Sequence, residues 1–516
     1  MASDSNPRLD QNDNHDDDYH HVPLSRPGRF SSNRALVSLL SLVLLVNLSM
    51  SLYQLPLNRV IERRLCRDFY TATDPSVLGP DGEVREDLCK IDKIQQELAW
   101  IQGAMETAWI VGDFVMAIPL GFVAERYGRR TVLALNLMPR LCMLAWAVAV
   151  GYFENSLPTK ALLASPMLSI LGGDCVFNSI VYALASDLTE DRVLRASYFA
   201  YMSSTSYVVA LVGPALASAT MTLLLWLPFY LGIALLATSS WAIRSLPPDQ
   251  ALSSATGNFS DSSTQPLLSS PVLKALDARQ TPSMDAITRR FALMKGILLS
   301  RPLNFALLLF SMFLTSLASA DTKLLVQYIS KRYGWTFASA GYLLSGKAVV
   351  NFVLLTIIIP RLLAWRASRR RERDAQDTIY LTYTKACIAI SVVGAIAIAL
   401  ADAIYLLVPS LFLYALGSAL PIFTFSLLKS SAVSPPTDTT SAGRIHEGPG
   451  LAEETQVFSI VMLVKTLGSL VGAPLMAACW IRGIAVGGGG LGLPYLVSAG
   501  CYAIAVFVVS RMRIDY

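Results

Sequence analysis

Apolar residues in this chain arrive in blocks, and each block is about as long as a lipid bilayer is thick. The blocks fall at about 35–55, 98–124, 131–153, 161–186, 196–220, 223–243, 303–326, 338–363, 379–401, 404–429, 456–480 and 493–511. A run of about 20 apolar residues crosses hydrocarbon as a helix, because a helix satisfies its own backbone groups where no water can. Twelve runs therefore predict an all-α membrane protein of twelve transmembrane helices. Composition agrees. Hydrophobic residues make up 53% and charged residues 15%, where soluble domains hold about 45–50% and about 25%. The net charge of +5 does not point to nucleic acid as a partner. Its basic residues sit in turns between the runs and form no continuous face.

The first run stands behind a polar lead, residues 1–33, rich in Asp and His. Such a lead cannot bury a core and is expected to be disordered. The run itself is long enough to span, so it is read as a retained first helix and not as a cleaved signal. Twelve is even, so both termini share a side. Arg126, Arg129, Arg130, Arg192, Arg195 and Arg369-Arg370-Arg371 occupy turns on that same side. Lys and Arg resist translocation, which predicts cytoplasmic termini. The plasma membrane is the expected location, with the vacuolar membrane as the alternative. The longest internal polar segment, 245–302, divides the chain into two six-helix bundles, 34–244 and 303–516. It reads as a Ser/Thr/Pro-rich linker followed by a basic amphipathic helix from Met284 to Leu299 lying on the inner leaflet. The loop 56–97 is expected outside, where disulfides persist. It holds Cys66 and Cys89, which are expected to bridge, the alternative being two free thiols.

Between the second and third runs stands Gly121-Phe-Val-Ala-Glu125-Arg126-Tyr-Gly128-Arg129-Arg130. Gly128 permits a tight reversal, because it tolerates positive φ. Gly121 removes a side chain where helices lie close. Glu125 is placed to pair with an arginine or to face a helix N-terminus. By itself the stretch reads as a basic turn that sets topology. As a pattern it resembles the loop between the second and third helices of the major facilitator superfamily, Gly-x-x-x-Asp-Arg-x-Gly-Arg-Arg. The match covers Gly121, Arg126, Gly128, Arg129 and Arg130, with Glu125 where the family has Asp. The resemblance implies the major facilitator fold, and it implies that these residues form a gating motif that latches the two halves on the cytoplasmic side. The second span, Cys66, Cys89 and Gln327-Tyr328-x-Ser330-Lys331-Arg332-Tyr333-x-Trp335 resemble a fungal branch similar to the proton-coupled folate transporter family. The turn Ser186-Asp187-Leu-Thr-Glu190-Asp191-Arg192 is similar to one in that branch. Gly213-Pro214 matches part of the superfamily's exporter-type motif.

Charged side chains inside the runs carry the functional reading. Each costs about 2.5–3.5 kcal/mol at mid-membrane, so it needs a partner or water and usually marks a pathway. Asp113, Arg140 and Asp174 fall mid-span in the second, third and fourth runs, Lys347 in the eighth and Lys465 in the eleventh. Glu106 lies one heptad before Asp113 on the same helix face. At 1.5 Å per residue, Asp113 and Arg140 sit at about the same depth, so an ion pair is expected between them, either structural or coupling. Asp174 follows Gly172-Gly173, which admits a close neighbour. Asp113, Asp174 and Glu106 are the proton-coupling candidates. No histidine lies in a span, so a carboxyl would have to carry the proton. Arg140, Asn178, Tyr201, Lys347, Asn351 and Lys465 are the substrate-binding candidates, the two lysines as cations for an anionic or carbonyl-rich solute. Asp321, Lys323 and Lys385 lie near span ends and are expected to snorkel toward water.

Other signals lead away from an enzyme. Gly341-Tyr-Leu-Leu-Ser-Gly346-Lys347-Ala348 nearly spells a phosphate-binding loop, but Ala348 stands where Ser or Thr must hold the metal, and the stretch lies inside an apolar run. No metal or nucleophile motif is present, and no cofactor is expected. The expectation is a monomeric secondary transporter that moves a small organic solute by alternating access, coupled to protons. Export of a secondary metabolite or xenobiotic is favoured. The alternatives are proton-coupled uptake of an organic anion and a non-transporting receptor on the same fold.

Overall fold

The computed structural model describes residues 29–80, 82–153, 156–188, 192–246, 303–359, 361, 373–428 and 449–512, and these are helical throughout apart from turns. The linker 247–302, with its expected amphipathic helix, lies outside the described residues, as do residues 1–28. The first half comprises α1 (Arg29–Thr73), α2 (Asp92–Tyr127), α3 (Arg129–Tyr152), the single turn α4 (Ser165–Leu168), α5 (Asp174–Asp187), α6 (Arg192–Leu223) and α7 (Leu227–Arg244). The second comprises α8 (Leu303–Ala318), α9 (Leu325–Tyr333), α10 (Phe337–Val353), α11 (Arg373–Leu400), α12 (Ile404–Leu416), α13 (Leu420–Leu428), α14 (Pro449–Val486) and α15 (Leu493–Ser510).

Eight segments are long and apolar enough to cross a bilayer, and the bent pair Thr159–Leu168 and Ile170–Tyr182 makes a ninth. With α2, α7 and the shorter Ile404–Ala419, the described residues make twelve passes. Among the described residues, four passes are not single α-helices. The fourth is interrupted by a 3-10 turn at Ile170–Gly172, the seventh at Ser319–Lys323 and the tenth at Gly417–Ala419. The eighth passes from α10 into a π turn, Leu354–Ile358.

The loop expected over 56–97 is largely helical. α1 has 45 residues, about 68 Å at 1.5 Å each and roughly twice the hydrocarbon thickness. It continues beyond the membrane and carries Cys66, which is bonded to Cys89. Arg64 on this extension donates to the carbonyls of Val150 and Leu157, tying it to the end of the third pass. The end of the molecule that bears this bridge is called the disulfide end below.

Within the first half α1 packs on α6 and α7, and within the second α8 packs on α14 and α15. The halves meet along two seams, α2 on α14 and α6 on α10. Lipid gives no hydrophobic drive between helices, so such seams need small residues that let backbones approach. A Cβ on Gly103 would strike the Cβ of Ala477, and one on Gly341 would strike Ser218 and Leu55. Gly468 and Gly472 do the same within the second half. There a Cβ would stand 2.6 Å from the carbonyls of Phe313 and Leu317.

Candidate functional site

A cavity of about 470 Å³ lies between the halves. Its wall is mainly apolar, with Met50, Met105, Trp109, Met143, Leu344 and Met476 from five passes. Gln54, Asn58, Gln102 and Ser469 add hydrogen-bonding groups, and Glu106, Asp174 and Lys323 add charge. An apolar chamber with a few convergent polar groups is the usual make-up of a small-molecule site.

The break in the fourth pass builds one charged group. Pro166 starts a one-turn helix, and Gly172-Gly173 ends the 3-10 turn before α5 begins at Asp174. A break leaves backbone groups without helical partners, which costs about 1–3 kcal/mol for each one buried. Neighbouring helices supply partners here. Asn136 on α3 donates its amide to the carbonyls of Leu171 and Gly173, at 3.3 and 3.0 Å. Asp113 on α2 accepts the Cys175 N–H at 3.1 and 3.2 Å, so it caps α5 from another helix. That amide is part of the positive end of the helix dipole, which favours a carboxylate. A Cβ on Gly173 would collide with the Asp113 carboxylate, so glycine is required there by proximity.

Arg140 is fully buried. Its Nη2 lies 2.7 Å from Asp174 Oδ1, its Nε donates to Asn136 at 3.0 Å, and its guanidinium stands 5.3 Å from the Phe177 ring centre. The direct partner of Arg140 is thus Asp174 and not Asp113. The expected Asp113–Arg140 pair rested on equal depth alone. The bend of 53° brings Asp174 to the guanidinium, while Asp113 turns to the helix terminus. Asp113 still feels the charges of both Arg140 and Asp174. Two carboxylates therefore stand near one guanidinium, and one of them is paired with it.

The expected snorkelling of Asp321 is overturned, whereas Lys323 is half exposed and reaches into the cavity. Both lie in the 3-10 break of the seventh pass, which runs on through α9 to Tyr333, so the two residues sit further from its end than the run 303–326 implied. Asp321 is fully buried and accepts hydrogen bonds from Tyr414 Oη at 3.0 and 3.1 Å. Tyr414 in turn contacts Tyr502 at 3.2 Å. Lys347 lies 5.3 Å from the Tyr414 ring centre and interacts with Asp321. Lys323 reaches across the cavity to Glu106, 3.2 Å away on α2.

Other polar ties between the halves cluster at the disulfide end. The N–H of Phe337, which opens α10, donates to Glu86 at 2.9 Å, and Lys90 stands 4.5 Å from the Phe337 ring centre. Lys331 pairs with Asp92 at 2.6 Å and also donates to the Lys90 carbonyl. Lys90 and Gln95 in turn hold the buried Glu62, at 2.7 and 2.6 Å.

Among the substrate-binding candidates, Arg140, Asn178, Tyr201, Lys347, Asn351 and Lys465 do not line the cavity, whereas the proton-coupling candidates Glu106 and Asp174 do. Asn178 and Tyr201 are exposed. In the basic turn Gly128 has φ +90°, the left-handed side that favours glycine, and Arg130 donates to the Arg244 carbonyl at 2.8 Å within its own half. The side chains of Glu125 and Arg126, and the surroundings of Gly121, lie outside the described residues. Sequence reasoning missed Lys323, Asp321, Tyr414, Asn136 and Glu86. For Asn136 a signal was present, an amide one helical turn before an intramembrane arginine.

A sequence profile described as Major Facilitator Superfamily matches residues 94–472. The chain is 26% identical over 474 residues to a protein named MFS efflux pump atnC from Emericella nidulans, covering 91% of this chain and 86% of that one. It is 25% identical over 463 residues to the protein named efflux pump ustT from Aspergillus flavus, covering 88% and 83%. Among solved structures, the human organic anion transporter MFSD10 superposes with a TM-score of 0.53 at 15% identity, covering 93% of this chain and 99% of that one. The nucleoside transporter NupG superposes with a TM-score of 0.56 at 15% identity, covering 93% and 98%.

Proposed function

The chain belongs to the Major Facilitator Superfamily, as an integral multi-pass membrane transporter, and on that footing we propose that it exports a small organic solute by alternating access driven by protons. The single observation that carries this is the cavity between the halves, with ionisable groups in its wall. Export is supported by the names of the relatives, efflux pumps over most of their length. Proton coupling is supported by the charge count at the bend. Asp113 and Asp174 both stand near Arg140, so with both acids ionised the group holds one negative charge in excess. That excess charge is the place where a transported proton is proposed to be taken up. Asp174 is the acid that reaches the cavity wall. We assign it the proton and Asp113 the helix cap.

The orientation that fits has the disulfide end outside, where the bridge persists, and both termini in the cytoplasm, in a plasma or vacuolar membrane. The ties of Glu86, Lys90, Lys331 and Asp92 then lie on the outer side. Uptake of an organic anion, implied by the folate-transporter resemblance, has less support, since Lys347 and Lys465 do not line the chamber.

The test is solute flux in reconstituted vesicles under an imposed pH gradient. Wild type moves solute against the proton gradient. Asp174→Asn loses pH-driven flux and keeps solute–solute exchange. PH-driven flux of wild-type size in Asp174→Asn would refute the assignment of the proton, and absence of any solute flux in wild type would refute transport.

A further inference from the structure

The charges in the cavity wall are not equivalent. Glu106 and Asp174 are negative and Lys323 is positive. The cation that neutralises Asp174 is Arg140, which is fully buried behind it. What a solute meets is therefore the oxygen face of the Asp174–Arg140 pair, the Glu106 carboxylate and one ammonium.

That ammonium is also the removable partner. Glu106 projects from the continuous helix α2 on a short arm and is 30% exposed. Lys323 ends a 3-10 turn on a long flexible arm and is 51% exposed. If an anionic solute took Lys323, Glu106 would be left unpaired and fixed in an apolar chamber that already holds Asp174. If a cationic solute took Glu106, Lys323 would be set free, and a half-exposed lysine can carry its charge toward water along its four-carbon stem. The second exchange strands no charge, whereas the first strands a carboxylate. The apolar remainder of the wall, with Trp109 and several methionines, accepts the body of such a molecule by shape-tolerant contact. Aromatic faces such as that of Trp109 also attract cations.

We propose that the chamber selects an apolar solute bearing a positive charge, and that the solute's cationic group displaces Lys323 from Glu106. The consequence reaches beyond affinity. Lys323 belongs to the second half and Glu106 to the first, so the exchange removes a tie between the halves when the chamber fills. Solute binding and loosening of one contact between the halves become one event, which is what alternating access requires of a ligand that favours one state over the other. The inference rests on the transporter reading and names the solute class for the same chamber.

Tetraphenylphosphonium and tetraphenylborate test it, being alike in shape and opposite in charge. Their equilibrium binding is measured on purified protein in detergent micelles, with protein-free micelles subtracted. The cation is expected to bind wild type at least about tenfold more tightly than the anion. Glu106→Gln is expected to weaken cation binding about two- to fivefold, the worth of one partly exposed ion pair. Lys323→Met removes the competitor, and so is expected to strengthen cation binding by a similar factor. A residue that merely held the halves together would not give that gain. Equal or tighter binding of the borate by wild type, or unchanged cation affinity in Lys323→Met, overturns the proposal. Because the readout is binding, it stands apart from the flux experiment. Flux without cation preference sinks this inference alone, and cation preference without flux sinks the transport reading alone.

Discussion

At the residue scale, the bend in the fourth pass shows how intramembrane charge is made tolerable. Arg140 has an amide, a carboxylate and an aromatic face around one guanidinium. Removing it would leave Asp113 and Asp174 facing each other without a counter-charge. Arg140→Gln is therefore expected to destabilise by about 2 kcal/mol, less than the loss for a wholly buried pair because Asp174 is half exposed. Adding Asp174→Asn removes the stranded charge and should recover part of the loss, so the double variant melts above Arg140→Gln alone. Thermal denaturation of the purified variants measures this. A double variant that melts lower than the single one would show that Arg140 and Asp174 do not act as a pair.

At the element scale, the interrupted passes are where intramembrane charges gather. The 3-10 break of the fourth pass ends at Asp174, and that of the seventh holds Asp321 and Lys323. A turn of this kind exposes backbone groups and redirects side chains, so neighbouring helices must meet it with polar groups, as Asn136 and Asp113 do. The extension of α1 is the other decisive element. It carries the bridge to Cys89, and the turn Glu86–Cys89 thereby reaches the start of α10. The Glu86 carboxylate receives a helix N-terminal amide, a charge-assisted bond that an uncharged amide makes more weakly. Glu86→Gln is expected to loosen this contact. The measurement is labelling of Asn58→Cys, in a background without the five free cysteines, by a membrane-impermeant maleimide applied at the disulfide end. The rate should rise severalfold over the same reporter with Glu86 intact, and an unchanged rate would show that Glu86 does not hold that end closed.

At the scale of the whole molecule, two seams and a cluster of ion pairs decide how the halves stand. Lys331–Asp92 and Lys323–Glu106 both cross between them. Reversing one charge, as in Lys331→Asp, places two carboxylates together and should favour separation at the disulfide end. Reversing its partner as well, with Asp92→Lys, should restore the contact. Solute flux and the same cysteine reporter are expected to change in the single variant and return toward wild type in the double. Reporter rates that are alike in the single and double variants would show that the pair carries no coupling.

Much of this was legible in the sequence, and the misses share one cause. Twelve runs, the basic turn at Gly128 and the bilayer as solvent follow from windows of about 20 residues, because partitioning into lipid is a local property of such a window. Glu106 and Asp174 were found because a charge in such a run is conspicuous. The partner of Arg140, the burial of Asp321 and the reach of Lys323 to Glu106 were not, because each depends on a break or an extension that shifts depth and turns a helix. One residue turns a helix by about 100°, so small irregularities choose which side chains meet. By itself the sequence determined that this chain lives in a membrane and roughly where it crosses. Only the tertiary structure decided which charges face the chamber and which face one another, since that is settled by contacts between helices far apart in the chain.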